Sequence, residues 1–135
     1  IISNTTVKRN VKSKHQEEKG GLSGKPLFEE STKLIIKARK ILNNYGSRIS
    51  IIATGGVYDG KSAYIKILCG ADLIQLYTGM VFKGPNIVSK INDELIEIIK
   101  KTGVNNISEL VGSKNKLDWV IFYAYTFLVF MSKKC

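Results

Sequence analysis

Residues 49–79 read ISIIATGGVYDGKSAYIKILCGADLIQLYTG, and their succession of apolar run, glycine turn, amphipathic stretch and second apolar run decides the fold class. Ile49, Ile51, Ile52 and Ala53 are rich in β-branched side chains, too few for a helix and closed by Gly55-Gly56, which predicts a strand buried on both faces. Asp59 is placed to cap the next helix, Ala63, Ile67 and Leu68 give that helix an apolar stripe, and Gly70 stands where a left-handed stop is expected. The chain then re-enters the sheet over residues 72–76. The result is one strand-helix-strand unit, and strands buried in this way belong to parallel sheets.

The same alternation extends upstream. Residues 31–45 predict a helix capped by Ser31, with Leu34, Ile35, Ala38, Ile41 and Leu42 on the buried face, Lys33, Lys37 and Lys40 outside, and Gly46 as its end. Residues 1–5 predict a further strand, ending in the polar triplet Asn4-Thr5-Thr6. Strand, helix, strand, helix, strand with right-handed crossovers gives a parallel α/β sheet. Downstream, Ile87, Ile91, Leu95 and Ile98 mark the core face of a long helix over residues 86–101, closed by Gly103, and residues 108–111 read as a short helical turn. Residues 119–131 are apolar all round, yet shorter than the roughly 17–25 residues needed to cross a bilayer. They read as a segment packed on a partner or appended to the fold, so residues 113–135 are set apart from residues 1–112.

The chain has 135 residues, whereas an eight-unit α/β barrel needs roughly 200–250. The opening residues carry neither an initiator Met nor the charged and apolar regions of a signal peptide, and read as the middle of a strand. The expectation is a C-terminal part of something longer. Of the net charge of +10, +7 falls within residues 1–48. Such a balance permits contact with nucleic acid, anionic lipid or phosphate. No aromatic residues interleave with Lys8, Arg9, Lys12 and Lys14 as base stacking requires, so a solvated basic face is the plainer reading. A non-enzymatic basic module binding nucleic acid through residues 8–40 is the competing one.

Cys69 and Cys135 lie too far apart in sequence for a metal knuckle and suggest no disulfide scaffold; Cys69 reads as a buried small hydrophobe. His15 is the single histidine, in a charged loop, so no Ser/His/Asp triad and no histidine-based metal cluster can be assembled.

Three stretches have the composition of an anion or ligand site. The amide and hydroxyls of Asn4-Thr5-Thr6 sit where a parallel strand's end meets a ligand. A glycosylation acceptor, which Asn106-Ile107-Ser108 also fits, or a plain turn are the alternatives for that triplet. After a polar stretch over residues 7–19, expected to be a mobile loop, Gly20-Gly21-Leu22-Ser23-Gly24 would bring backbone N–H groups and a hydroxyl close to an anion. Gly55-Gly56 and Tyr77-Thr78-Gly79 follow two successive strands, where barrels commonly hold a phosphate; tight glycine packing is the structural alternative.

Taken together, Ser3-Asn4-Thr5-Thr6-Val7, GGLSGKPL over residues 20–27, Ser31-Thr32, IIATGGV over residues 51–57, GADLIQLYTG over residues 70–79 and VFKGP over residues 81–85 resemble, in order and spacing, the C-terminal portion of class 2 dihydroorotate dehydrogenases. The resemblance runs from residue 1 to about Gly112, and the Leu of GGLSG matches the quinone-linked class. It implies a C-terminal part of a (β/α)8 barrel with FMN at the rim, oxidation of dihydroorotate to orotate in pyrimidine synthesis, and a quinone as electron acceptor. Asn4 and Thr5 would hydrogen-bond the substrate. Ser3 would touch the flavin, while Ser23, Gly24, Gly55, Gly56, Tyr77 and Thr78 would hold FMN, chiefly its phosphate.

It also implies that the catalytic base, a flavin-contacting lysine and the quinone tunnel lie upstream, that neither Ser13 nor Ser23 is that base, and that the isolated chain has no turnover. The mitochondrial inner membrane is implied by eukaryotic members of the class. Another phosphate-binding barrel, an isomerase or a flavin oxidoreductase of different substrate, is the alternative that Gly-Gly and Tyr-Thr-Gly alone leave open.

Overall fold

The structure, a computed structural model, describes residues 1–8 and 19–116. Arg9, Lys12, Lys14 and His15 and the apolar run over residues 119–131 lie outside the described residues. The sheet is built on two short strands, β1 (Ile52–Ala53) and β2 (Leu73–Ile74), paired in parallel with Ile52 opposite Leu73 and Ala53 opposite Ile74. Ile2 adds a parallel bridge to Ala53 on the other side of β1. Three chain segments therefore run side by side in sequence order with helices between them, as the sequence predicts.

Helix α1 (Phe28–Asn44) connects the first segment to β1, and α2 (Gly60–Leu68) connects β1 to β2. Asp59 caps α2 as expected: its carboxylate accepts from Ser62 N–H at 2.7 Å, and the Ser62 hydroxyl accepts from the Asp59 N–H at 3.1 Å. Glu94 joins the same end, its carboxylate accepting from Gly60 N–H at 2.6 Å. The expected long helix is α4 (Ile87–Thr102), closed by Gly103 at φ 71° in the left-handed region. Residues 107–110 form the short helical turn.

The core has two parts. Ala63, Ile67 and Leu68 of α2 pack with Ile87, Ile91 and Leu95 of α4 and with Val57 and Leu110. Ile35 of α1 packs with Ile51, Ala53, Cys69 and Ala71 beneath the sheet. Arg39 ties α1 to the strand starts: its guanidinium donates twice to the Gly70 carbonyl, at 3.0 and 2.7 Å, and pairs with the Asp72 carboxylate, which also accepts from Ile51 N–H.

Four readings of the sequence need correction. Ser31 is not a cap: Pro26 opens a 3-10 turn (Lys25–Leu27) that starts the helix earlier, so Ser31 lies inside α1 and is buried. Leu34 and Ile41 are exposed, because the sheet covers only the narrower stripe of Ile35, Ala38 and Leu42. Ile49 precedes β1 and is 65% exposed. Tyr77-Thr78-Gly79, read as a loop after the second strand, instead begins helix α3 (Thr78–Lys83), with Tyr77 as its N-cap.

Replacing Ile91, buried between α2 and α4, by Ala is expected to lower unfolding free energy by about 2–5 kcal/mol in urea titrations. Ile96→Ala, at a half-exposed position of the same helix, is expected to change it by less than about 0.5 kcal/mol.

Candidate functional site

Because the three segments are parallel, their C-terminal ends share one rim. The bonds that set this are Ile2 N–H to Ile52 carbonyl at 2.8 Å, Thr54 N–H to Ile2 carbonyl at 2.6 Å and Gln75 N–H to Ala53 carbonyl at 2.8 Å. One residue past the ladder, Ser3-Asn4-Thr5, Thr54-Gly55-Gly56 and Gln75-Leu76-Tyr77 border a cleft of about 340 Å³. Ile1, Gly24, Leu27, Val57, Thr78 and Gly79 complete its described lining, and no lysine, arginine, aspartate or glutamate is among these residues. Of the residues singled out from the sequence, Ser3, Asn4, Thr5, Gly24, Gly55, Gly56, Tyr77 and Thr78 all line this cleft.

Ser23 does not line it. Its hydroxyl accepts from the Thr78 hydroxyl at 3.1 Å, joining the GGLSG loop to the start of α3. The same loop is zipped to the first segment by reciprocal bonds between Thr6 and Leu22, at 3.1 and 2.7 Å, and Gly21 packs directly on the Thr5 side chain. Gly24 has φ 80°, and a Cβ there would stand 3.2 Å from the Thr78 methyl.

Gly55 and Gly56 have φ 94° and 77°, successive left-handed conformations that L side chains rarely adopt. A Cβ on Gly56 would lie 2.5 Å from Phe28 Cα, and one on Gly55 would press on Ser31 and Ser3. Among the described residues, the backbone N–H groups of Gly24, Gly55, Gly56, Thr78 and Gly79 donate to no protein group. Several free amides around a cleft without carboxylates suit an anion. Tyr77 lines the cleft and is 79% exposed. Asn4 Oδ1 accepts from Thr5 N–H at 2.8 Å, and the amide NH₂ of this exposed residue is left to donate to a ligand.

Thr54, Gln75 and Lys66 were missed from the sequence. Thr54 and Gln75 lie within the quoted motifs IIATGGV and GADLIQLYTG but were given no role there, and the strand register places them at the rim. Lys66 did leave a signal: it stands three residues after Ala63, on the apolar stripe of α2. The structure buries it completely, with Nζ donating to Ser31 Oγ at 2.7 Å and Thr32 Oγ1 at 3.1 Å. Burial lowers its pKa to about 8, against a smaller opposing effect of the neighbouring Cys69.

A folded-state pKa below that of the unfolded chain means that the unfolded chain binds more protons between pH 8 and about 10.5, so Lys66 adds stability as pH rises through that window. Burial raises the pKa of the Cys69 thiol and of Tyr58, which has the opposite sign. Comparison with Lys66→Met isolates the lysine: the stability difference between wild type and variant is expected to shift in favour of wild type from pH 7.5 to 9.5 in parallel urea titrations.

The family model described as Dihydroorotate dehydrogenase matches residues 1–99. The chain is 48% identical over 111 residues to the dihydroorotate dehydrogenase (quinone) of Bartonella tribocorum, covering 81% of this chain and 30% of that protein. It is 40% identical over 119 residues to the mitochondrial dihydroorotate dehydrogenase (quinone) of Arabidopsis thaliana, covering 86% of this chain and 25% of that protein. Among solved structures, ligand-free DHODH from Eimeria tenella superimposes with a TM-score of 0.79 at 36% identity, over 86% of this chain and 32% of that one. The chain thus spans between a quarter and a third of the length of these relatives.

Proposed function

The chain belongs to the dihydroorotate dehydrogenase family, its strands and helices forming part of a (β/α)8 barrel, and on that premise we propose that it supplies the phosphate-holding and substrate-facing rim of a quinone-linked enzyme. The observation that supports this reading is the convergence of three glycine-bearing rim loops and the Asn4-Thr5 strand end on one cleft rich in free amides. The residues fit FMN. The amides of Gly24, Gly55, Gly56 and Thr78, with the backbone of Tyr77, hold the phosphate, and Ser23 braces this arrangement through Thr78. Ser3 would contact the flavin, and the Asn4 amide and Thr5 hydroxyl would bind the carboxylate and amide edge of dihydroorotate.

FMN, when bound, would supply the hydride-accepting chemistry for oxidising dihydroorotate to orotate in UMP synthesis, with a quinone as the final electron acceptor. What this chain's residues do is bind and orient. In keeping with the family resemblance, the base that takes the substrate's proton and the quinone site are assigned to the rest of the assembled enzyme rather than to this chain. The mitochondrial inner membrane is the setting in keeping with the Arabidopsis relative, which is named mitochondrial. Among the described residues no helix is long and apolar enough to cross a membrane.

The 135-residue chain alone is expected to show no dihydroorotate oxidation. Co-expressed with the complementing N-terminal portion of the Bartonella relative, it is expected to yield a yellow complex that releases FMN on denaturation; a colourless complex would favour an isomerase of the same fold. In that complex Asn4→Ala is expected to lower kcat/KM for dihydroorotate by about 10- to 100-fold, the scale of a hydrogen bond to a charged group, with FMN content unchanged. Gly56→Ala, meeting Phe28, is expected to abolish FMN retention.

A further inference from the structure

A fully buried ammonium is unfavourable unless something compensates its charge. Among the described residues Lys66 forms no ion pair. Its protons go instead to the Ser31 and Thr32 hydroxyls, while the Phe28 ring centroid lies 4.9 Å from Nζ. Phe28 is the residue whose Cα packs against Gly56.

An ammonium only donates, so both hydroxyl oxygens accept from it and their own protons must turn elsewhere. That of Thr32 goes to the Phe28 carbonyl at 2.6 Å. That of Ser31 is shared between the Phe28 and Gly55 carbonyls, at 3.1 and 3.0 Å. The Gly55 carbonyl is thereby held toward α1. In a trans peptide the following N–H points the opposite way, so the same contact turns the Gly56 N–H away from α1, on the side of the cleft that both glycines line.

We propose that Lys66 is a positioning residue and buried counter-charge for the anion site: through Ser31 it fixes the Gly55-Gly56 turn with its amide outward, and its charge favours a phosphate-bearing ligand over a neutral one of the same shape. This rests on the phosphate-binding reading of the cleft given above. A charge in a low-dielectric interior acts on a nearby dianion with little screening, whereas the lysines on the surface of α1 are screened by water and salt. The residue acts behind the turn and touches neither flavin nor substrate. It therefore differs from the rim residues, and its removal is read in ligand preference.

The test compares wild type, Lys66→Met and Ser31→Ala in the complex with the complementing N-terminal portion, by calorimetric titration of the flavin-stripped protein with FMN, riboflavin and inorganic phosphate. Lys66→Met is expected to weaken FMN and inorganic phosphate at least about tenfold, the size of one charge-assisted interaction, while riboflavin stays within about twofold. Its melting temperature is expected to be no lower than that of wild type, since an apolar side chain replaces a buried charge. Ser31→Ala keeps the charge but cuts the link and is expected to weaken FMN about threefold, again sparing riboflavin.

Equal weakening of FMN and riboflavin, or unchanged FMN binding, would overturn the proposal. If Lys66→Met does not assemble, Ser31→Ala decides, and an unaltered FMN to riboflavin ratio there counts against it. Wild type that takes inorganic phosphate but not FMN would contradict the flavin reading alone and leave the comparison on phosphate intact. Wild type that takes neither would sink both.

Discussion

Everything functional in this chain depends on the register of a narrow parallel ladder. Ile52 and Ala53 are bonded on both sides, to Ile2 in the first segment and to β2 through Gln75. Side chains alternate along a strand, so a slip of one residue would turn Ala53 out of the core and Thr54 into it. The register also fixes where each strand stops, and the residues just past those stops are Ser3, Thr54 and Gln75, which share the cleft. Arg39 and Asp72 reinforce it from the opposite end by clamping Ile51 and Gly70 to α1.

The described part of the rim suits negative charge without displaying positive charge. Surface lysines are numerous, yet among the described residues none lines the cleft. Instead, left-handed glycines expose amides, and a single buried lysine stands behind one of the turns. Backbone amides are fixed by the fold and lose no side-chain entropy on binding, which makes them well suited to hold a phosphate in one orientation. The glycines are required twice over at Gly56, by its φ and by the backbone of Phe28 packed against it.

Much of this was legible in the sequence. The β-branched run before Gly55-Gly56, the Asp59 cap and the α4 stripe led directly to the observed elements, because each is governed by local propensity and period. The motifs that carry the family resemblance also named most of the cleft lining. What was not legible depended on tertiary context. Ser31 has the composition of a cap, but the turn at Pro26 moved the helix start, and its hydroxyl serves Gly55 across 24 positions of sequence. Lys66 stands on an apolar stripe, a signal visible in sequence, but its partners come from α1 and no local pattern points to them. The exposure of Leu34 and Ile41 likewise follows from how narrow a sheet α1 meets.

The convergence of three separate loops on one anion is tested most directly by following backbone amide chemical shifts while the assembled, flavin-free complex is titrated with FMN. The amides of Gly24, Gly56 and Thr78 are expected to shift together and saturate with a common dissociation constant. Shifts confined to one loop, or three different dissociation constants, would show that the loops do not hold one phosphate.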